Sequence, residues 1–457
     1  MTKELLADAL RRSVRYLESA RSRRVSPALA DVDRLAELGG PLPEDSCDPR
    51  GVLAMLDDIG SPATVINAGG RYFGFVNGGS LPAAVAADWL AAAWDQNAGL
   101  IACSPTAAAL EEITIQWISD LLRLPAGTGG GLVTGASMAN FCGLAAARHA
   151  LLSRHGWNVE RDGLFGAPPI SVVVGDEVHV SLLKALSLLG LGSERVIRVA
   201  CDRQGRMQAQ KLPALSSSTI VCIQAGNVNT GAIDPARAIC EAARAKNAWV
   251  HVDGAFGLWA AAAPQRAHLA DGVELAQSWA TDAHKWLNVP YDCGIVLARE
   301  PAHLEAAMST SASYLTPGRD AGSQAHPFRF TPEMSRRARS VPLWAALRSL
   351  GRRGLAEMIE RCCRHAARFA NGLRDAGYAV LNDVVLNQVL VSFGDPDVTH
   401  AVIAEIQREG TCWCGATVWQ GRTAMRISVS SWATTDEDVD KSLAAMLRIA
   451  STKRKGP

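Results

Sequence analysis

Short apolar runs alternate with amphipathic helical patterns through the middle of the chain. The runs are rich in Val and Ile and end at Gly, Asp or small polar residues, which is typical of strands. Strands are predicted at 132–134, 170–174, 196–199, 220–223, 248–252, 279–281 and 294–298, and helices at 138–153, 181–191 and 235–246 between several of them. Strands that alternate with helices predict an α/β fold, with a largely parallel sheet and helices on both of its faces.

The region before this sheet follows a different pattern. Helices are predicted at 2–23 and 84–97, and the Gly-, Pro- and Asn-rich stretch at 60–82 between them predicts a loop. Another helix is predicted directly after Ser104, because Ser suits the N-cap and Pro105 suits the first turn.

The pattern changes again after about residue 340. Long Arg- and Ala-rich helices precede strands at 388–393 and 424–429, and a final helix begins at Thr435. This order predicts a smaller α+β domain at the C-terminus. We therefore expect three parts: an N-terminal helical and extended segment (1–85), a large domain (86–315), and a loop with the small C-terminal domain (316–457).

Charge and composition exclude several classes of protein. The 46 basic and 45 acidic residues leave a formal net charge of +1 without a basic stripe, which argues against nucleic-acid binding. No apolar run is long enough to span a membrane, and the charged N-terminus is unlike a signal peptide. The eleven cysteines include no C-x-x-C pair, and the spacing of Cys412 and Cys414 does not suit zinc. We expect a soluble, cytoplasmic protein with reduced thiols and no metal.

Lysine is scarce, which narrows the search for a nucleophilic amine. Only eight of the 46 basic residues are lysines, and Lys285 lies between His284 and Trp286 directly after a predicted strand. Burial among apolar residues lowers the pKa of a lysine from about 10.4 towards about 7 to 8, which enables the amine to form a Schiff base. Lys184, on a predicted helix among leucines, is the alternative.

Polar residues follow other predicted strands, and open α/β sheets bind ligands at the carboxyl ends of their strands. The turn from Thr134 to Asn140 has small residues at a helix start, which suits a phosphate, although a plain Ser N-cap explains it equally well. His179 follows the second strand, either to stack on an aromatic ligand or to cap a helix. Asp253 ends an apolar strand, either as a functional carboxylate or as a loop cap.

A phosphate turn, a stacking histidine, a strand-end carboxylate and a buried lysine together describe a site for pyridoxal 5′-phosphate (PLP). Lys285 would hold the cofactor as a Schiff base, and Asp253 would pair with the protonated pyridine nitrogen. The cationic ring could then accept the electrons of a bond broken at the substrate Cα.

Several motifs also carry a family resemblance. They are Tyr72-Phe73-Gly74-Phe75, Ser104-Pro105, Glu111-Glu112, the Gly135 turn, Gly231-Ala232-Ile233-Asp234-Pro235, His251-Val252-Asp253, His284-Lys285-Trp286 and Arg336-Arg337-Ala338-Arg339-Ser340. With these motifs the chain resembles the group II PLP-dependent decarboxylases, the family of the aromatic-L-amino-acid, histidine and glutamate decarboxylases. The separation of 32 residues between Asp253 and Lys285 (285 − 253) also matches that family. The resemblance implies the fold-type I PLP-dependent transferase-like fold, with a mostly parallel seven-stranded sheet.

The resemblance implies roles on the phosphate side of the cofactor and in the assembly of the protein. Ala136 and Ser137 match the phosphate-binding turn, and His284 matches a neighbour of the phosphate. The family also implies a homodimer with each active site at the subunit interface, and an N-terminal segment that packs across the dimer.

On the ring side, the resemblance implies four further roles. His179 matches the histidine that stacks on the pyridine ring, and Ala255 matches the small residue packed against that ring. Asp253 matches the partner of the pyridine nitrogen, and Lys285 matches the Schiff-base lysine.

The chain departs from the family where a proton is returned to the substrate. Aromatic amino-acid decarboxylases carry a Tyr on a mobile loop for this step. The corresponding loop is roughly 316–332, where the sequence has Ala325-His326-Pro327-Phe328 and no Tyr, and Tyr314 lies several residues too early. Either His326 is the proton donor, or protonation at Cα is not the normal outcome.

Two more departures concern the substrate side. The hydroxyl-bearing residue that the family has after Gly226 is replaced by Asn227, which we expect to take over hydrogen bonding near the ring. The segment Phe75-Val76-Asn77-Gly78 is less bulky and more polar than the aromatic wall expected for an indole or catechol substrate. The identity of the amino acid therefore stays open.

These observations predict a PLP-dependent decarboxylase of an L-amino acid, a carbon–carbon lyase. The alternative, favoured by the missing loop Tyr, is a related PLP enzyme that forms an aldehyde by decarboxylation-dependent oxidative deamination, or acts like an aminotransferase. A third hypothesis is a non-catalytic paralogue, which the intact Lys285 and Asp253 argue against.

Two groups of residues are interpreted as structural. The arginines Arg336, Arg337 and Arg339 are expected to anchor the base of the loop, or dimer contacts, through carboxylates. Five tryptophans are expected in the core or an interface, namely Trp249, Trp259, Trp279, Trp344 and Trp432.

Overall fold

A computed structural model describes residues 2–310 and 326–454 of the chain. All seven strands predicted in the middle of the chain are present: β1 (Gly129–Val133), β2 (Ser171–Gly175), β3 (Ile197–Val199), β4 (Thr219–Gln224), β5 (Trp249–Asp253), β6 (Ser278–Asp282) and β7 (Gly294–Ala298). They form one sheet in the order β1-β7-β6-β5-β4-β2-β3. β7 pairs antiparallel with β1 and β6, whereas the pairs among β2 to β6 are parallel. The predicted fold class is therefore confirmed.

Helices surround this sheet and make up most of the remaining structure. The described α-helices are α1 (Thr2–Ser19), α2 (Leu29–Asp33), α3 (Pro49–Met55), α4 (Ser61–Ala63), α5 (Pro82–Trp94), α6 (Pro105–Leu121), α7 (Ala136–Ser153), α8 (Val159–Asp162), α9 (Val180–Leu188), α10 (Ala236–Arg244), α11 (Pro301–Met308), α12 (Ser340–Asp375), α13 (Pro396–Glu409) and α14 (Asp436–Arg454). Short 3₁₀ helices lie at Arg34–Leu38, Ala209–Lys211, Gly257–Ala262, Ala267–Ala270, Val273–Leu275 and Pro327–Phe330, and a π-helical turn at Leu56–Gly60. The long helix α12 is broken at Gly351, whose φ of 60° suits glycine.

The chain divides into two compact units. One unit comprises residues 80–364 and 382–388 and holds the seven-stranded sheet. The other comprises residues 1–79, 365–381 and 389–457, and its four-stranded sheet has the order β10-β11-β9-β8. The strands of this smaller sheet are β8 (Ala379–Val380), β9 (Gln388–Ser392), β10 (Gly415–Trp419) and β11 (Arg422–Ser428).

Two strands of the smaller sheet were not predicted from the sequence. β8 has only two residues, and β10 alternates between exposed and half-buried positions until Trp419. Neither strand contains the continuous apolar run by which the other strands were identified. Both therefore depend on pairing with neighbours, β8 with β9 and β10 with β11.

The core of the larger unit lies between the sheet and helices α7 and α9. β4 to β7 are almost entirely buried, as expected of strands covered on both faces. α7 is rich in Ala, and its small side chains allow the helix axis to approach the sheet closely. Trp249, Trp259 and Trp279 are buried in this unit as predicted, whereas Trp344 and Trp432 are only half-buried.

The helix predicted after Ser104 does begin at Pro105. Ser104 occupies the N-cap position, but its buried hydroxyl makes no capping hydrogen bond, so that detail of the prediction is wrong. The carbonyl of Ser104 instead accepts a hydrogen bond from the Ala108 N–H (3.1 Å). Proline geometry and this carbonyl start the helix without a side-chain cap.

The predicted pairing of the arginine cluster with carboxylates is confirmed. Arg336 is buried, and its Nη2 lies 2.8 Å from Glu111 Oε1 and 2.6 Å from the Leu132 carbonyl oxygen. Arg337 pairs with Asp88, and Arg339 Nε lies 2.9 Å from Asp292 Oδ1.

Some predictions concern residues that the structure does not describe. Tyr314, Ala325 and residues 316–325 of the predicted loop lie outside the described residues. The described part of that loop begins at His326 and continues through the 3₁₀ helix Pro327–Phe330.

Among residues 2–310 and 326–454, no helix combines the length and the apolar character needed to cross a membrane. The same residues contain no group of three or more His, Cys, Asp or Glu side chains arranged to hold a metal ion.

Candidate active site

The strands of the large sheet bring the predicted site residues to one edge. Asp253, the last residue of β5, lies in register with Gln224 at the end of β4 and with Ala280 in β6. β1 ends at the same edge, since Val133 pairs with Gly294 at the start of the antiparallel β7. The segments that leave these strands therefore meet where α/β sheets bind ligands.

Lys285 lies in the turn that follows β6. Its Nζ is 3.0 Å from Asp282 Oδ2, and its side chain is 19% exposed to solvent. A lysine held in this way is shielded from bulk water but still accessible to a small molecule. Lys184, the alternative nucleophile, is exposed on α9 as expected of a hydrated cation.

Asp282 connects three parts of the site, and sequence analysis did not single it out. Its buried carboxylate accepts a hydrogen bond from the Ala136 N–H (2.6 Å) through Oδ1 and pairs with Lys285 through Oδ2. His284 Nε2 lies 3.4 Å from Oδ1 of the same carboxylate. The signal that could have revealed Asp282 is the one used for Asp253, an acidic residue at the end of an apolar strand.

His284 is oriented by its second ring nitrogen. Its Nδ1 accepts a hydrogen bond from the Cys293 N–H (3.1 Å), so the neutral ring carries its proton on Nε2, towards Asp282. Burial lowers the pKa of His284, an effect that the nearby Asp282 carboxylate opposes. Its ring also stacks on Tyr291, with the ring centres 4.3 Å apart.

The turn before α7 is built from small residues because space is short. A Cβ on Gly135 would lie 3.2 Å from His284 Cε1, and a Cβ on Gly294 would collide with the Gly135 backbone. Gly135 itself occupies the N-cap position of α7, while Ser137 is exposed in the first turn. The alternative in which Ser137 caps the helix is therefore wrong. The Ala136 N–H is bonded to Asp282, which leaves the Ser137 N–H at this helix start for an anion.

Asp253 is buried and bonded through both carboxylate oxygens. Asn140 Nδ2 donates to Oδ2 (3.1 Å), and the Ala255 N–H donates to Oδ1 (3.3 Å). The bond from the Ala255 N–H is the one expected if Asp253 merely caps its loop. The bond from Asn140 comes from α7, which is far away in the sequence. Ala255 is partly exposed and leaves room beside the carboxylate.

His179 occupies the N-cap of α9, as its structural alternative predicted. Its Nδ1 accepts from the Ser181 N–H (3.3 Å) and lies 2.7 Å from the Ser181 hydroxyl oxygen. The side chain is half-buried. Capping uses Nδ1 in the ring plane and does not require either face of the imidazole ring, so stacking on a cofactor stays a prediction.

Asn227 and His326 both accept hydrogen bonds from backbone N–H groups of the protein. Asn227 is buried, and its Oδ1 accepts from the Asn229 N–H (2.9 Å) and the Thr230 N–H (3.2 Å). Its oxygen thus holds its own loop together, while its Nδ2 donates to Gln224 Oε1 (3.3 Å), and hydrogen bonding to the cofactor stays a prediction. His326 Nδ1 accepts from the Ile101 N–H (3.3 Å) at the described end of the predicted loop.

Two further buried residues that sequence analysis did not select lie behind Asp253. His251 Nε2 is 2.9 Å from Asn140 Oδ1, and both side chains are inaccessible to solvent. Burial lowers the pKa of His251 to about 3, so the ring is neutral near neutral pH. Both residues stand in motifs that the sequence displays, but nothing in the sequence places them in contact.

The donor set fits PLP. An accessible lysine amine suits the aldehyde, the buried Asp253 carboxylate suits a protonated pyridine nitrogen, and the α7 start with its small residues suits a phosphate. Fold and site together define a fold-type I PLP-dependent enzyme.

Comparison with known proteins gives the family. The profile described as the pyridoxal-dependent decarboxylase conserved domain matches residues 68–394. Tryptophan decarboxylase 1 of Oryza sativa subsp. japonica is 29% identical over 398 residues, which are 79% of this chain and 76% of the relative. A phenylacetaldehyde synthase of a Rosa hybrid cultivar is 31% identical over 309 residues, which are 64% of this chain and 59% of the relative. The crystal structure of Oryza sativa TDC with PLP and tryptamine matches with a TM-score of 0.90 at 24% identity, covering 99% of this chain and 98% of that chain.

The chain therefore belongs to the pyridoxal-dependent decarboxylase family. It is a PLP-dependent amino-acid decarboxylase, a lyase, and the family predicted from the sequence is confirmed.

We predict that His251 makes the folded state sensitive to acid. The unfolded histidine binds a proton below about pH 6.5 and the folded one only near its pKa of about 3, so stability falls as the pH drops between these values. Between about pH 7.5 and pH 5 the loss from this residue is about 2 kcal/mol. Urea unfolding at both pH values measures it.

The variant His251→Gln lacks this titration and should lose about 2 kcal/mol less than wild type over the same pH interval. His400→Gln, on the exposed face of α13, is the matched control and should keep the wild-type pH dependence. Equal pH dependence of His251→Gln and wild type would show that the buried ring is not the source.

Proposed function

We propose that Lys285 holds PLP as a Schiff base and that the residues around it commit the bound amino acid to loss of its carboxylate. The observation that carries this proposal is the position of Lys285 Nζ, 3.0 Å from Asp282 at the sheet edge where Asp253 is buried. Bound PLP supplies an electron sink for the pair released when the bond from Cα to the carboxylate breaks.

The surrounding residues would hold the cofactor at three points. Asp253 would pair with the pyridine nitrogen, because a buried carboxylate favours a cationic partner. The Ser137 N–H at the start of α7 would receive the phosphate, with His284 beside it, and Ala136 would contribute its small side chain because its N–H is bonded to Asp282. His179 would stack on one face of the ring, and Ala255 would leave space at the other.

His326 is our candidate for the group that returns a proton to Cα. Its Nδ1 accepts from the Ile101 N–H in this structure. To deliver a proton from Nε2 the ring would first take one up and become an imidazolium, with Nδ1 released from the Ile101 N–H. No tyrosine stands between residues 316 and 332 to do so instead.

An aldehyde-forming reaction is the second candidate function. It is supported by the same missing tyrosine and by the relative named phenylacetaldehyde synthase, with which 64% of this chain aligns. If no group protonates Cα promptly, oxygen would take two electrons and two protons to become peroxide, and water would hydrolyse the oxidised product to an aldehyde and ammonia. An aminotransferase-like outcome would instead retain the carboxylate.

We also propose that the protein is a homodimer in which the N-terminal segment packs across the interface. The support is an exposed apolar stripe on α1 formed by Leu6, Leu10, Val14 and Leu17. These residues recur at spacings of three and four and lie on one helix face. A face of this kind is usually covered by another protein surface.

A cytoplasmic location is proposed from the thiols. All eleven cysteines, which lie within the described residues, are free, and eight of them are buried. Free thiols in this number suit a reducing compartment.

The reaction is tested by Lys285→Ala with Lys184→Ala as the matched control. Lys285→Ala should lower carbon dioxide release by about a thousandfold or more, because the covalent attachment point is lost. Borohydride reduction should attach the cofactor to the peptide that contains Lys285 in wild type and in the control. Attachment elsewhere in wild type would refute the assignment.

A panel of aromatic, acidic, basic and diamino acids should then be assayed for carbon dioxide, amine, aldehyde and peroxide together. Amine formed in step with carbon dioxide supports the decarboxylase with protonation at Cα. Peroxide and aldehyde formed in step with carbon dioxide would instead establish the second candidate.

His326→Phe and His326→Gln should each lower amine formation by about a hundredfold with little change in KM, because neither side chain transfers a proton. Gln can still accept the Ile101 N–H, so it separates proton transfer from positioning. His400→Phe is the control on the surface. Unchanged turnover in both His326 variants would remove His326 from the reaction.

The dimer is tested by charge on the α1 stripe. Leu6→Glu with Leu10→Glu should reduce the mass measured by light scattering to that of one chain, because the interface would bury two uncompensated charges on each chain. Phe165→Glu, at an exposed apolar residue outside the N-terminal segment, should leave the mass unchanged. A dimer that persists in the α1 variant contradicts the proposal.

A further inference from the structure

Five buried side chains form a line of hydrogen bonds that ends at Asp253. Trp249 Nε1 lies 2.9 Å from Ser278 Oγ, and Ser278 Oγ lies 2.8 Å from His251 Nδ1. His251 Nε2 is 2.9 Å from Asn140 Oδ1, and Asn140 Nδ2 is 3.1 Å from Asp253 Oδ2. None of the five is more than 5% exposed, so water does not replace any of these contacts.

The chemistry of the groups gives this line one direction. An indole N–H only donates, so Ser278 Oγ accepts from Trp249 and can give its own hydrogen to His251 Nδ1. The neutral ring then carries its proton on Nε2 and donates to Asn140 Oδ1. The amide is thereby oriented with its NH₂ group towards the Asp253 carboxylate.

The opposite direction is less favourable. Asn140 would then donate to His251 Nε2 and turn its oxygen towards Asp253, which would have to be protonated to bond it. His251 Nδ1–H would donate to Ser278, and the Ser278 hydroxyl hydrogen would lose its partner in the line. Since burial also lowers the pKa of His251 to about 3, a proton on both ring nitrogens is not available either.

The absence of a side chain at Gly143 leaves space for the His251 ring. A Cβ on Gly143 of α7 would approach His251 Cε1 to 2.6 Å and Nδ1 to 2.8 Å, closer than real contacts allow. A glycine at this position therefore permits the ring to reach both Ser278 and Asn140.

We propose that His251 is a positioning residue that, through Asn140, holds the Asp253 carboxylate in place to pair with the cofactor ring. The inference rests on the proposed function of Asp253. A hydrogen bond donated to a carboxylate stabilises its charge, and the His251 Nε2–H, by holding the amide oxygen, keeps the Asn140 NH₂ group turned towards Asp253. His251 would thus control cofactor binding without touching the cofactor.

The test uses His251→Leu, His251→Gln and the control Thr281→Val. Titration of the apoenzyme with PLP should give a dissociation constant about tenfold higher for His251→Leu, the effect of one lost hydrogen bond to a charged group. His251→Gln can still donate to Asn140 Oδ1 and should stay within about threefold of wild type. Thr281→Val, on the opposite face of β6, removes a buried hydroxyl without a bonding partner and should not change PLP affinity.

A double-variant cycle with Asp253→Asn separates this inference from the proposed function. If Asp253→Asn leaves PLP affinity unchanged, the assigned role of Asp253 fails. If Asp253→Asn weakens binding and His251→Leu does not, only the inference fails. We expect His251→Leu to have no further effect once Asp253 is Asn, because both variants remove the same interaction.

A second measurement determines the tautomer of the His251 ring in the wild-type protein itself. Nitrogen-15 NMR of the histidine-labelled wild-type apoenzyme, with His251→Gln for assignment, should show the His251 proton on Nε2 and Nδ1 as an acceptor. A proton on Nδ1 would reverse the line of hydrogen bonds and overturn the inference.

Discussion

Two carboxylates, Asp253 and Asp282, are buried at one edge of the sheet, on neighbouring parallel strands. Transfer of a carboxylate from water to the protein interior costs several kcal/mol unless N–H groups or cations replace the lost water. Asp282 has the Ala136 N–H and Lys285, while Asp253 has Asn140 and the Ala255 N–H. Ala136 and Asn140 both belong to α7, so the docking of that helix both compensates the buried charge and assembles the site.

This dependence explains why small residues cluster along α7. Gly135 packs against Gly294 and near His284, and Gly143 leaves room for the His251 ring. Larger side chains would move the helix away from the sheet and take the Ala136 N–H and the Asn140 amide away from the two carboxylates. The glycines and alanines of this helix thus serve electrostatics as well as packing, because hydrogen bonds tolerate little change in distance.

The same arrangement gives the two carboxylates different partners and thus different uses. Asp282 faces a lysine and a histidine in the turn after β6, while Asp253 faces an amide that is itself held by a neutral ring. The first carboxylate is neutralised within the protein by a cation. The second accepts hydrogen bonds from neutral donors among the described residues, and we propose that its charge pairs with a cationic ring nitrogen.

Local patterns in the sequence were enough to predict the strand–helix alternation and the family, and to select Lys285 and Asp253 as candidates. These patterns are apolar runs, strand-end residues and a rare lysine. Tertiary structure alone decided the roles of Asp282, Asn140 and His251, since their partners lie from three to 146 residues away in the chain. It also decided that Gly135, not Ser137, caps α7, and it revealed β8 and β10. Contacts between distant residues depend on register and helix docking, which no local pattern encodes.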